Sequence, residues 1–189
     1  MKTPVTLLLI AVCTLLFFAS PPAEGFLFGH ILEGQIWRLI SPILLHGNIF
    51  HLFLNVTWLF FFGSLVEEKI GSFRYILLIL IVAAFSNTAQ YLVSGPYFLG
   101  LSGVLMGLVG FIWARRRIEN WPVPKATLLM VTWIICIMAA VEGLFILLER
   151  FKIASFSTHI ANTAHIVGAL TGFIVGLIPY FKERSYERT

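Results

Sequence analysis

A helical membrane domain of six spans is the fold class this sequence predicts, and three observations predict it. Of 189 residues, 59% are hydrophobic and 12% charged, with a mean hydropathy of +0.92, whereas soluble domains carry about twice that charge fraction. The apolar residues gather into six runs broken by Pro, Gly and Ser, and in hydrocarbon the backbone must satisfy its own hydrogen bonds. When those runs are threaded across a bilayer, the basic residues fall mainly on one side, as the positive-inside rule requires.

The first run, 4–20, follows Lys2 and stops at Ser20-Pro21-Pro22. It has the outline of a secretion signal, but Phe18 sits where a small residue belongs and Pro21 follows the cut, so the span is expected to be retained. The stretch from about 21 to 45 mixes Phe26, Phe28, Ile31, Ile36 and Trp37 with Glu24, Glu33 and Arg38, a composition suited to interfacial helices in the headgroup region. The second span, 48–66, runs on to Gly71-Ser72, and the third, 73–93, stops at Ser94-Gly95-Pro96. The fourth, 102–115, ends on Arg115-Arg116-Arg117. The fifth, 126–148, follows Trp121-Pro122-Val123-Pro124, and the sixth is 162–181. Nothing remains for a soluble domain, so residues 1–189 are expected to form one membrane domain.

Orientation follows from Lys and Arg. With the N-terminus cytoplasmic, ten basic residues lie inside and three, Arg38, Arg150 and Lys152, outside. Both termini are therefore expected in the cytoplasm. The net charge of +4 becomes a consequence of topology, and the arginine cluster an interfacial anchor with no nucleic-acid partner implied.

Composition also excludes chemistry. The chain contains no Asp, which removes the Ser-His-Asp triad, the aspartyl dyad and most acidic metal cages. Cys13 and Cys136 lie inside apolar runs, so neither a disulfide nor a thiolate metal site is expected. No His-Glu-x2-His element supports a zinc enzyme, and no metal or organic cofactor is expected.

In the expected orientation the second, fourth and sixth spans all begin at the outer face, and the unusual polar residues occupy their first turns. The second opens with His46-x4-His51-x3-Asn55, where His51 and Asn55 share a helix face. The fourth opens with Gly100-Leu101-Ser102-Gly103, and the sixth with Asn162-Thr163-Ala164-His165. The 13 steps from Ser102 to Arg115, at about 1.5 Å each, put Ser102 on the order of 10 Å below the outer surface of a roughly 30 Å core. Taken singly, each residue has a plainer reading: Ser102 as a small packing residue, Asn55 as interhelical glue, and His30, His46 and His159 as structural histidines. The conjunction at one depth is what points to function, because polar groups inside a membrane are costly. A nucleophile needs a base within reach and donors for an oxyanion.

With these motifs the chain resembles the rhomboid intramembrane serine proteases in their short six-helix bacterial form. The resemblance rests on Trp37-Arg38, His46 to Asn55, the Gly63 to Gly71 turn with Glu67, Ser94-Gly95-Pro96, Gly100-Leu101-Ser102-Gly103 and Ala164-His165-x2-Gly168-x3-Gly172. It implies a rhomboid-like bundle, with Ser102 as nucleophile and His165 as general base. It further implies an oxyanion site from His51, Asn55 and the Ser102 backbone N–H. The substrates it implies are transmembrane segments of other proteins, entering laterally between the second and fifth spans.

The motif glycines also carry a packing expectation. Gly168, Gly172 and Gly176 form a small-x3-small ridge that faces Gly103, Gly107 and Gly110, and close approach of the two helices brings Ser102 to His165. Three features depart from the family pattern: Met106 stands where an aromatic often packs on the imidazole, Leu99 where a second glycine is frequent, and the loop at about 149–161 is long. Glu142, inside the fifth span, reads as a structural carboxyl near the lateral opening. Two competing functions are a noncatalytic rhomboid-like protein that binds transmembrane helices, and a small transporter using His51, Asn55 and His165. The first typically loses the Ser or the His; the second leaves Ser102 unexplained.

Overall fold

The computed structural model describes residues 3–28, 31–119, 121, 151 and 162–183, with eight further positions between 126 and 148. Among the described residues all regular structure is helical, without strands. Helix α1 spans Pro4–Ala19, α2 Ile49–Trp58, α3 Ser64–Ile70, α4 Ser72–Ser94, α5 Ser102–Glu119 and α6 Asn162–Leu177. Helices α2 and α3 join through a π-helical stretch, Leu59–Gly63, into one rod of 22 residues, Ile49–Ile70. That rod and the 23 residues of α4 are each long and apolar enough to cross a membrane; Pro4–Ala19 and Thr163–Leu177 are apolar but shorter. The described positions of the fifth span, among them Thr132 and Trp133, are helical. The rest of that span, with Glu142, and His30 and His159 lie outside the described residues.

Helix α5 is the axis of the bundle. Its sequence is apolar or small on every face until Arg115, a pattern that belongs in a core, and Val104, Leu108, Phe111 and Ile112 are fully buried. The surrounding helices reverse the soluble-protein rule: Phe50, Phe53, Phe85, Leu92 and Ile174 point outward, as hydrocarbon surroundings permit.

Helix α6 lies against α5 because both carry small residues at four-residue spacing. A Cβ on Gly168 would collide with the Gly103 carbonyl, and one on Gly172 with the Gly107 carbonyl. One on Gly176 would meet Ala114 and Phe111. These pairs ascend together along both chains, so the two helices are parallel. Their first turns therefore sit side by side.

The segment between α1 and α2, expected as interfacial helices, folds as four short 3-10 turns, Ala23–Gly25, Ile31–Glu33, Ile36–Leu39 and Ser41–Leu44. Arg38 organises it: Nη1 donates to the carbonyls of Glu24 and Leu27, and Nε donates to Gln35 at 2.6 Å. Phe28 then stacks on Tyr91 of α4 at 4.7 Å, and Asn87 Nδ2 donates to the Leu39 carbonyl at 2.8 Å.

At the opposite end, Arg115 departs from the expected interfacial anchor. Its side chain is 2% exposed and donates to Glu119 and to the Ile178 carbonyl. Arg117 is exposed and Arg116 half-buried. Glu67, 1% exposed, accepts from the backbone N–H groups of Val5 and Thr6 and from the hydroxyls of Thr6 and Ser72 at 2.7 to 3.0 Å. It thereby caps α1, which has no side-chain cap of its own.

Candidate active site

Ser102 is the first residue of α5, where the leading N–H groups have no partner inside the helix. The turn before it is shaped by Gly100, whose φ of +117° lies where only glycine is comfortable. A Cβ there would also strike the His51 ring, 2.5 Å from Cε1 and 2.7 Å from Nε2. His51 and Gly100 are thus in face-to-face contact two residues ahead of Ser102. The Gly100 N–H is tied to the Pro42 carbonyl at 3.0 Å, which fixes the turn to the outer segment.

The parallel pairing of α5 with α6 brings the two predicted partners together. His165 Nε2 lies 2.7 Å from Ser102 Oγ, and the imidazole is 7% exposed while Ser102 is partly open. Asn55, 3% exposed, donates one amide N–H to the His51 carbonyl at 2.7 Å. That places its amide one helical turn from His51 on the same face. A hydrogen-bonded hydroxyl and imidazole, beside unpaired helix-start N–H groups and a buried amide, can run acyl transfer: one group attacks, one carries the proton, and the donors hold a developing oxyanion.

A family model described as the rhomboid domain matches residues 33–181. The chain belongs to the rhomboid family. It is 31% identical to the rhomboid protease GlpG of Enterobacter sp. (strain 638), covering 98% of this chain and 65% of that protein. Against the rhomboid protease GlpG of Haemophilus influenzae it is 28% identical, covering 92% and 90%. A GlpG homolog of Cronobacter sakazakii is 30% identical, covering 92% and 62%. The chain thus spans a little under two thirds of the Enterobacter and Cronobacter proteins. As a member of this family it is an integral membrane protein.

Gly103, Gly107, Gly110, Gly168, Gly172 and Gly176 form the expected close seam. Met106 is half-buried against the core of the bundle. Leu99 Cδ1 stands 3.7 Å from where a Cβ on Gly47 would be. Gly47 and Leu99, with His46 and the end of α1 at Phe17 and Ser20, line a hollow of about 480 Å³. The His46 ring meets the His51 ring edge-on at 5.1 Å. Burial, and secondarily the neighbouring His51, push the His46 imidazole down to about 4, so it is neutral at physiological pH.

Two further residues support the candidate site. Gln90 Oε1 accepts from the Ala164 N–H at 3.0 Å, fixing the backbone that carries His165. Ser86 packs against Gly103, 3.1 Å from where a Cβ would be. Their signal is in the sequence: Ser86, Asn87 and Gln90 fall on one face of α4 after the apolar run Ile76–Phe85, and all three are buried.

Proposed function

We propose that this protein is an intramembrane serine endopeptidase that cleaves transmembrane segments of other membrane proteins near the outer face of the membrane. The observation carrying the reading is the 2.7 Å contact between Ser102 Oγ and His165 Nε2, made between two helices whose glycine seam has no other need for a buried imidazole. Ser102 Oγ attacks the scissile carbonyl carbon while His165 takes its proton. His51, the free amide N–H of Asn55 and the Ser102 backbone N–H hold the oxyanion. His165 then protonates the departing amine, and a water activated by the same imidazole hydrolyses the acyl-enzyme. With no Asp in the chain, the pair works as a dyad, its imidazole held by packing and by the Gln90 tie to Ala164.

The supporting physics is local. The hydroxyl is partly open, which leaves it reachable by water. Parallel α5 and α6 require a return crossing between them, which fits a fifth span and a six-span topology with both termini cytoplasmic. The substrate helix enters between the second and fifth spans and unwinds to present its peptide bond. The bacterial relatives favour a plasma-membrane location. The test is cleavage of a labelled transmembrane segment by purified protein in detergent micelles. Ser102→Ala is expected to abolish cleavage while the protein stays folded, and wild-type turnover in that variant would refute the nucleophile assignment.

A further inference from the structure

A second concavity lies far from the dyad along α5. It is a groove of about 350 Å³ with apolar walls: Val109, Gly110 and Trp113 from α5, Ala169 and Phe173 from α6, and Thr132 from the fifth span. The α5 residues recur at i, i+1 and i+4, one helical stripe. Continued by three and four residues from Trp113, that stripe reaches Arg116 and Arg117. The Arg117 guanidinium lies over the Trp113 ring, 5.9 Å from its centre, so the cation stands at the mouth of the groove. Arg115, one step round the helix, turns inward to Glu119 and Ile178. Among the described residues no carboxylate pairs with Arg116 or Arg117.

We propose that this groove seats an acyl chain of an anionic phospholipid, with the headgroup phosphate on Arg116 and Arg117. Two features favour that occupant. The walls are apolar and the mouth cationic, the complement of a lipid tail ending in a phosphate. The arginines also lie at the end of α5, which the proposed six-span topology puts at headgroup level, where each basic residue favours anionic lipid about fivefold. The site is separate from the dyad and is independent of the proposed proteolysis.

The test uses the delipidated full chain in a neutral detergent, titrated with phosphatidylglycerol or phosphatidylcholine of identical chains and read by native mass spectrometry. Phosphatidylglycerol is expected to be retained at about tenfold lower concentration than phosphatidylcholine. The double variant Arg116→Gln/Arg117→Gln should bring the two lipids within twofold, and Ala169→Leu, which fills the groove, should weaken both. Equal retention of the two lipids by the unaltered protein, or a preference that survives loss of both arginines, overturns the proposal. A second readout needs no change to the α5–α6 seam: phosphatidylglycerol brominated on its chains should quench the tryptophan fluorescence of the wild type, and Trp113→Phe should remove part of the quenchable signal. Identical quenching in both would place the chain elsewhere and defeat the assignment.

Discussion

Glu67→Gln isolates a stabilising device from the chemistry. In the structure the two carboxylate oxygens each serve one backbone N–H and one hydroxyl: Oε1 takes Val5 N and Ser72 Oγ, and Oε2 takes Thr6 N and Thr6 Oγ. The hydroxyls can rotate and accept instead. The two backbone N–H groups cannot, so an amide NH2 in either position confronts one of them and leaves it unsatisfied. That costs about 1 to 3 kcal/mol, and losing the charge on the remaining acceptor weakens a bond to an ionised group by about 1 kcal/mol more. The total is about 2 to 4 kcal/mol, or about 5 to 15 °C at the roughly 2 to 4 °C per kcal/mol typical of chains this size. Differential scanning fluorimetry in detergent reads the midpoint, and cleavage measured well below it should be unchanged. A midpoint shift under 2 °C would refute the idea that this carboxylate caps α1.

Other perturbations follow from the same geometry. Gly100→Ala puts a methyl into the His51 ring and strains a backbone at φ +117°; cleavage should fall by about 10² or more, the scale of losing an oxyanion donor, with the bundle still folded by circular dichroism. Gly172→Ala drives α6 off α5 at the Gly107 carbonyl; both stability, by about 1 to 3 kcal/mol, and turnover should decrease. Gln90→Ala orphans the Ala164 N–H and should lower turnover more than substrate affinity, seen as a fall in kcat with little change in KM. His46 is held near 4 when folded against an ordinary 6.5, so as pH falls from 6.5 toward 4 the unfolded chain takes up a proton that the folded chain refuses. Stability from this group is complete above pH 6.5 and declines through that window by about 1.4 kcal/mol per pH unit. His46→Phe should flatten the acid side of a midpoint-against-pH curve.

Much of the site was legible because its signals are local or periodic. Ser102 between glycines, His165 three residues ahead of Gly168, and the four-residue glycine spacing each survive translation into three dimensions. A helix repeats nearly every four residues, so a ridge read on paper is a ridge in space. Helices lie over the first, second, third, fourth and sixth apolar runs, and α5 continues past the fourth to Glu119 because Arg115 finds Glu119 one turn on and is buried. What escaped the sequence was long-range. Glu67 serves α1 across 61 residues, Gln90 serves α6 across 74, and Arg38 gathers the carbonyls of Glu24 and Leu27 from 14 and 11 residues away. The π-helical stretch at Leu59–Gly63 likewise leaves no mark in hydropathy.

The most direct trial of the proposed chemistry is covalent capture of the nucleophile with a serine-directed fluorophosphonate, located by peptide mass mapping. The adduct is expected on Ser102 in the wild type and absent from His165→Ala, because the hydroxyl reacts only when an imidazole at 2.7 Å takes its proton. Labelling of Ser102 that persists undiminished without His165, or an adduct found on another serine, would contradict it.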